Sequence, residues 1–419
     1  MTTTVVRNEG PAAVEPTPTV GSHVRDYWSR VRGGDIGALP AILGLVVLCT
    51  VFAIMRPSFL TAGNFANLFT QGAAVTLIAM GLIFVLLLGE IDLSAGFASG
   101  VCAAILANVA TKLGYPWYVA VLAAIVTGVV IGTVLGFLVT KIGIPSFVVT
   151  LAGFLAFQGI VLMLISGGSN IAVNDSTLVA IANRNLPPVV GWLLAAVAVG
   201  GYAAAQLLRH RKRLSRGLVT DPIAVVLGRI GALALILGVA VFILNQERSR
   251  NVLVSSLKGV PIVVPVIAVL LILWTFVLHR TSYGRHVYAV GGNKEAARRA
   301  GINVDRIRIS VFVICSAMAA VGGIVAASRA NSVDPNTGGS NVLLYAVGAA
   351  VIGGTSLFGG KGRVLDAVLG GAVVAVIDNG MGLMGYTAGV KYVVTGVVLL
   401  LAASVDALSR RRSAVSGTR

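Results

Sequence analysis

The chain has 419 residues, of which 57% are hydrophobic and only 11% are charged. A soluble domain carries roughly a quarter charged residues, so this composition excludes a water-soluble fold and indicates a protein that lies largely in membrane lipid. The net charge of +17 would suggest nucleic acid in a soluble protein. Here the basic residues stand in loops and tails, which is the usual orienting signal of membrane proteins, and no nucleic-acid partner is expected.

Apolar stretches recur along almost the whole chain. A bilayer span needs ~20 mainly apolar residues, and its backbone must satisfy its own hydrogen bonds, so these stretches predict helices. The predicted fold class is an all-α, polytopic helical membrane protein with about 10–12 transmembrane helices. The stretches lie near residues 38–55, 72–88, 97–110, 116–140, 146–166, 189–208, 222–245, 260–278, 310–327, 342–357, 365–384 and 388–407.

Two polar tails flank the predicted membrane domain of residues 37–408. Residues 1–36 contain several Pro and Thr residues and predict a disordered cytoplasmic tail, without the order of segments that marks a signal peptide. Residues 409–419 predict a basic cytoplasmic tail.

The loop charges form an alternating series if all twelve stretches cross the membrane. Basic residues before the first stretch place the N-terminus inside. The basic segments 209–217 and 279–309 then also fall inside, and the polar segments 167–188 and 328–341 fall outside. The charge series therefore predicts that both termini lie in the cytoplasm.

Two glycine-rich segments share a pattern of helix, polar turn and small-residue helix. They are residues 80–109 and 347–380. Transporters often contain two related halves with interrupted helices at matching positions, although chance similarity of glycine-rich helices is an equal alternative. The short stretches 97–110 and 342–357 are candidates for half-helices that re-enter the membrane.

The motif GEIDLSAG at residues 89–96 places two carboxylates beside a long apolar run. Ionisable residues at the edge of a span tend to line water or protein, so Glu90, Asp92 and Ser94 are candidates for the path of a polar substrate. In the alternative, the two acids end one span and Asp92 caps the next helix. No partner for acid–base catalysis stands nearby, so no catalytic residue and no metal site are predicted.

The segment 279–309 contains local helix signals. Asn293 is a candidate N-cap, Glu295 falls in the first turn, and Gly301 is a candidate terminator. These signals predict a helix of about two turns, which is marginal alone, and a second helix start at Asn303. The segment is either a solvated basic loop or a helix that docks into a cytoplasmic partner.

The stretch GGTSLFGGKGR at residues 353–363 resembles a phosphate loop but lacks its spacing. A glycine turn between two membrane helices is the better interpretation, so the chain has no visible ATP site of its own.

The motif AVIDNGMGLMG places Asp378 and Asn379 towards the outer end of a late span. These residues either line the path of a polar substrate or bond helices together, and Lys391 is a candidate ion-pair partner of Asp378.

Five ordered motifs resemble one family. They are GEIDLSAG, PSFVVTLAGFLAFQGI, YAVGGNKEAARRAGINV, VIGGTSLFGGKG and IDNGMGLMG. Together they resemble the permease subunit of bacterial sugar importers of the ATP-binding-cassette type, in the ribose, xylose and galactoside branch, from about residue 40 to 408. An extra hairpin and the last motif look most like the xylose permeases.

The resemblance implies a permease that works with a cytoplasmic ATP-binding subunit, an extracytoplasmic sugar-binding protein and a second permease copy. It also implies that residues of the 279–309 segment couple to the ATPase. Carried over to this chain, the coupling positions are Gly292, Asn293, Glu295, Ala296, Ala297 and Gly301.

The predicted function is import of a monosaccharide, xylose or a related pentose or hexose, powered by the separate ATPase. The alternative is a proton-coupled secondary sugar transporter in which Glu90, Asp92 or Asp378 carries the proton. A membrane-embedded enzyme is disfavoured, because the chain has only four His residues and its carboxylates have no apparent catalytic partners.

Overall fold

A computed structural model gives the structure of the protein. It describes residues 39–165, 169–218, 220–249 and 256–415, together with Gly21 and Arg25. Apart from those two residues, the predicted tail of residues 1–36 lies outside the described part.

Each of the twelve predicted apolar stretches forms a helix, which confirms the all-α class. Three further helices lie in the connecting segments. The helices are α1 Leu39–Met55, α2 Ala62–Leu87, α3 Ala95–Ala107, α4 Trp117–Phe137, α5 Ser146–Leu164, α6 Ser176–Asn183, α7 Pro188–Leu214, α8 Ile223–Leu244, α9 Val263–Arg280, α10 Ser282–Gly292, α11 Lys294–Arg299, α12 Val304–Ala330, α13 Ser340–Ile352, α14 Val364–Leu383 and α15 Ala388–Val415.

Nine helices of the described residues are long and apolar enough to cross a membrane. One of the two short stretches belongs to them, because α3 continues through a π-helical turn to Lys112 and reaches 18 residues. The other, α13, has 13 residues. Its length of about 20 Å falls short of a bilayer core of about 30 Å.

The core consists of α2, α3, α12 and α14. In the apolar stretch of each of these helices, 61–72% is buried inside the protein. Glycines bring α4 against α12 in the close manner typical of membrane helices. A Cβ atom at Gly128, Gly132 or Gly136 would lie 2.4–2.9 Å from atoms of α12. Only glycine therefore permits α4 and α12 to approach this closely at these three positions.

The helices α7 and α8 form a hairpin on the periphery, where only 11% of each span is buried. A small cluster of Ala66, Val241, Leu244 and Val260 holds this hairpin against α2. The other apolar side chains of the hairpin are largely exposed, as expected for a surface that faces lipid.

The two ends of the bundle differ in structure. At one end, the strand end, β1 Ile171–Ala172 pairs with β2 Ser332–Val333 in antiparallel register. At the other, the basic end, lie residues 280–308. The helix α12 has 27 residues and joins the two ends over about 40 Å. Helix α15 also continues to Val415, into the predicted basic tail of residues 409–419.

Candidate functional site

The segment between α9 and α12 is mostly helical and contains one helix more than the sequence predicted. Helix α10 occupies residues 282–292 and was missed from the sequence. Its inner face carries Tyr283, Val287 and Val290, of which the two valines are buried. This spacing of four and then three residues is the helical signal that the glycines around it obscured.

Helix α11 begins and ends as predicted. The side chain of Asn293 accepts a hydrogen bond from the backbone N–H of Ala296 at 2.9 Å. Glu295 lies in the first turn, and Gly301 follows the helix with a φ of +83°. The next helix, α12, starts at the predicted cap Asn303, whose side chain accepts from the N–H of Arg306 at 3.0 Å.

The predicted coupling positions divide into two groups. Ala297 is buried against the bundle, with 4% of its surface exposed, so it anchors α11. The remaining positions are exposed and available to a partner at the basic end. These are Gly292, Asn293, Glu295, Ala296 and Gly301.

Glu90 joins α11 to the core. Its side chain is 6% exposed and lies in residues 88–94, which connect α2 with α3. Lys294 and Arg308 both donate to its Oε1 atom, from Nζ at 2.9 Å and from Nη2 at 2.8 Å. Burial raises the pKa of Glu90, but hydrogen bonds from Lys294 and Ser146 and the charge of Arg308 lower it below its ordinary value overall. The carboxylate is therefore ionised and holds α11 and α12 to the α2–α3 connection.

Asp92 and Ser94 are fully enclosed by protein. Asp92 is 1% exposed, and its Oδ1 accepts from the Ser94 N–H at 2.9 Å and from the Ser94 hydroxyl at 2.6 Å. The N-cap of α3 is Ser94, without a side-chain bond to the helix. Asp92 therefore stabilises the turn that leads into α3 from two residues before the N-cap.

Three glycine-bearing segments meet backbone to backbone beside Glu90. A Cβ atom at Gly291 would lie 2.0 Å from the carbonyl oxygen of Leu87, and the N–H of Gly360 donates to that same oxygen at 2.8 Å. A Cβ atom at Gly359 would lie 2.9 Å from the nitrogen of Gly89. Because only glycine permits such an approach, α10 is locked to the turns that interrupt both helix pairs, α2–α3 and α13–α14.

The second of these turns is also held by side chains that sequence reasoning missed. Asp366 is 2% exposed and accepts from Thr355 at 3.2 Å and from Arg363 Nη2 at 3.0 Å. The Tyr288 hydroxyl of α10 donates to the Gly362 carbonyl at 2.7 Å. Asp366 Oδ2 also accepts from the backbone N–H of Arg363 at 2.8 Å, which satisfies the first N–H before α14 in the manner of the acid in a capping box.

Asn379 lies in a different place, towards the strand end of α14. Its amide donates to Asn64 Oδ1 at 2.9 Å and to Gln71 Oε1 at 3.2 Å, both in α2. Beside it, Lys391 donates to Asp378 Oδ1 at 3.1 Å, which confirms the predicted pair, and Gln71 donates to Asp378 Oδ2. The structure therefore keeps Glu90, Asp92 and Ser94 together in the α2–α3 connection and separates them from Asn379.

A crevice of about 580 Å³ lies between α1, α2, α8, α9 and α14. Its lining is apolar except for Thr76, whose hydroxyl donates to the Gly72 carbonyl at 2.8 Å. Sugars need several polar groups to fix their hydroxyls, so this crevice is unsuited to them.

The fold and the site define a polytopic helical membrane protein with a structured segment at its basic end. The model of the family described as "branched-chain amino acid transport system / permease component" matches residues 64–403, and the chain belongs to this family.

Several proteins similar to this chain are named as sugar permeases. The chain is 36% identical to the xylose transport system permease protein of Escherichia coli, over 88% of this chain and 92% of that protein. It is 33% identical to the xylose permease protein of Haemophilus influenzae, over 91% and 99%. The ribose import permease protein of Bacillus subtilis is 30% identical, over 91% and 95%. No solved structure matches. The predicted resemblance to sugar permeases, and to xylose permeases in particular, is confirmed.

Proposed function

We propose that the protein is the transmembrane subunit of an ATP-binding-cassette importer that carries xylose, or a related pentose or hexose, across the bacterial cytoplasmic membrane. The names of the xylose and ribose relatives support this substrate class. One structural observation carries the mechanism, namely the contact of Lys294 and Arg308 with the buried carboxylate of Glu90.

The coupling route begins at α11. Six residues make a helix too short to be stable alone, so it depends on its neighbours. A separate ATPase docks on its exposed positions and moves α10 and α11 as ATP closes the ATPase. The ion pair at Glu90 and the junction at Gly291 pass this motion to the two interrupted helix pairs, which opens the path to the other side.

The basic end faces the cytoplasm. Phe52 of α1 packs on Gly380, and Lys391 of α15 pairs with Asp378, so these ends of α1 and α15 lie at the strand end. The start of α1 and the end of α15 therefore lie at the basic end. Basic segments remain on the cytoplasmic side during insertion, which supports cytoplasmic termini.

Further subunits complete the importer. A sugar-binding protein docks at the strand end, on the segments that contain β1 and β2, and a second permease copy completes the path. ATP binds to the partner ATPase in the proposal, since the 353–363 turn lacks the spacing of a phosphate loop and the N–H of its Gly360 donates to the Leu87 carbonyl. This chain itself carries no cofactor in the proposal.

Sugar uptake into proteoliposomes that contain the permease, its ATPase and its binding protein tests the proposal. Uptake should require all three and internal ATP. Uptake by the permease alone, driven by a proton gradient and abolished by a protonophore, would establish the secondary transporter instead. The lowered pKa of Glu90 argues against this one carboxylate as the proton carrier, since it stays ionised at neutral pH.

Co-purification with the ATPase tests the docking surface. Glu295→Lys reverses a charge on the exposed face of α11 and should weaken retention of the ATPase. Asp221→Lys reverses an exposed charge at the same end on the peripheral hairpin, and should retain the ATPase at the level of the unmodified chain. Equal retention by both variants would place the docking surface elsewhere.

A further inference from the structure

A network of polar side chains crosses three helices near the strand end. Asn64 and Gln71 of α2, Asp378 and Asn379 of α14, and Lys391 of α15 are joined by the hydrogen bonds described above. Polar groups inside a membrane bundle are costly and mark substrate paths or helix contacts. We propose that this network is a subsite that contacts the sugar as it enters the permease, an assignment that rests on the proposed import function.

The chemistry of the network fits a neutral, polyhydroxylated molecule. A carboxylate accepts hydrogen bonds from hydroxyls, an ammonium group donates, and each side-chain amide does both. The one anion, Asp378, is already paired with Lys391 at 3.1 Å, so a charged substrate would have to break that pair. A sugar needs only to add hydrogen bonds to it.

The network has a free acceptor and an open side. The Oδ1 atom of Asn379 is buried and has no hydrogen-bond partner among the described residues, in a side chain that is 5% exposed. Such an orphaned acceptor normally finds a ligand or a water. Asp378 and Lys391 retain 30% and 21% side-chain exposure, and Tyr345 stands near the Asp378 charge. An aromatic ring beside a few placed polar groups is typical of ligand sites.

The position of the subsite connects it to the coupling segment. Helices α2 and α14 pack closely, since a Cβ atom at Gly72 would lie 2.9 Å from that of Ala375. The same two helices reach the basic end, where α2 stops before Glu90 and α14 starts at Val364, two residues before Asp366. A movement of the ATPase would therefore displace α2 and α14, the same helices that contact the sugar at the subsite. ATP hydrolysis and release of the sugar are coupled in this way.

Sugar delivered per ATP hydrolysed tests the subsite in proteoliposomes with the ATPase and the xylose-loaded binding protein. Asn379→Leu removes both hydrogen-bonding atoms. It should keep the stimulation of ATP hydrolysis by the loaded binding protein and lower xylose delivered per ATP roughly fivefold for each hydrogen bond lost. Gln206→Leu is the matched control, because Gln206 is an amide of the peripheral hairpin whose side chain bonds Tyr202 of its own helix in the described part of the chain. It should leave the ratio unchanged.

Two outcomes would overturn the assignment. An unchanged ratio in Asn379→Leu, with a lower melting temperature only, would make the network a helix contact. If that variant does not fold, Asp378→Asn is measured instead, since it keeps the shape of a half-exposed side chain, and an unchanged ratio there has the same meaning. Failure of the proposed function looks different, because the unmodified chain would then show no ATP-dependent uptake at all.

Discussion

Replacing Glu90 with glutamine removes the charge that two cations share while keeping the size of the side chain. Lys294 is 42% exposed in its side chain, so its ion pair contributes only about 1 kcal/mol. Arg308 is 20% exposed and donates through both Nε and Nη2, so its charge-assisted bonds contribute about 2 kcal/mol. The variant should lose about 3 kcal/mol of stability at the basic end.

Of this lost stability, only the part due to the Lys294 ion pair should affect the coupling of ATP hydrolysis to uptake. The reason is that Lys294 belongs to α11, whereas Arg308 belongs to α12. A loss of about 1 kcal/mol corresponds to about a fivefold decrease in coupling, measured as sugar uptake per ATP hydrolysed in proteoliposomes. Lys294→Met should give a similar decrease. The double variant should be no worse than Glu90→Gln in coupling, because residues in direct contact are not additive.

Asp221→Asn is the control, since Asp221 forms an exposed ion pair with Arg229 at the same end and at a similar distance, 2.9 Å. It should change neither coupling nor the melting temperature measurably. The coupling argument is refuted if Glu90→Gln retains full uptake per ATP, or if its loss equals that of the control. Additive losses in the double variant would show that Glu90 and Lys294 act independently.

Three further predictions concern the basic end. Gly291→Ala should lower the melting temperature and uncouple ATP hydrolysis from sugar uptake, because its Cβ atom would lie 2.0 Å from the Leu87 carbonyl oxygen. Gly231→Ala is the control and should do neither, because a Cβ atom there would have nothing within 4 Å. Asn293→Ala should remove the N-cap of α11 at a cost of about 1 kcal/mol and weaken retention of the ATPase in a pull-down. Asn293→Ser keeps a side-chain acceptor and should restore most of that retention. Equal retention by the two variants would show that the N-cap does not contribute to ATPase binding. Folding lowers the pKa of Glu90. The ionised Glu90 therefore stabilises the folded protein fully above its unfolded pKa of about 4.3, and this stabilisation is lost as the pH falls through the lower pKa of the folded state. The difference in melting temperature between the unmodified chain and Glu90→Gln should therefore be constant from about pH 8 to pH 5 and shrink below, and a loss near pH 7 would contradict an ionised Glu90.

Local signals predicted much of the fold. Each apolar stretch became a helix, because in lipid only a helix satisfies the backbone of such a segment within itself. The caps at Asn293 and Asn303 were predicted correctly for the same kind of reason, since a side chain and an N–H three residues apart need no distant partner. Helix α10 was missed because its glycines weaken helix propensity, and packing on Val287 and Val290 overrides that weakness.

The site itself depended on tertiary structure. The sequence determined that Glu90 stands at the edge of a span, and equally allowed it to line a path or to end a helix. Only the packing of α2, α11 and α12 decided that it binds Lys294 and Arg308, which are 204 and 218 residues away. The meeting of Gly89, Gly291 and Gly359 was decided in the same way. Helix formation depends on bonds within a few residues, whereas partners across a bundle depend on which helices pack together, and that choice belongs to the whole chain.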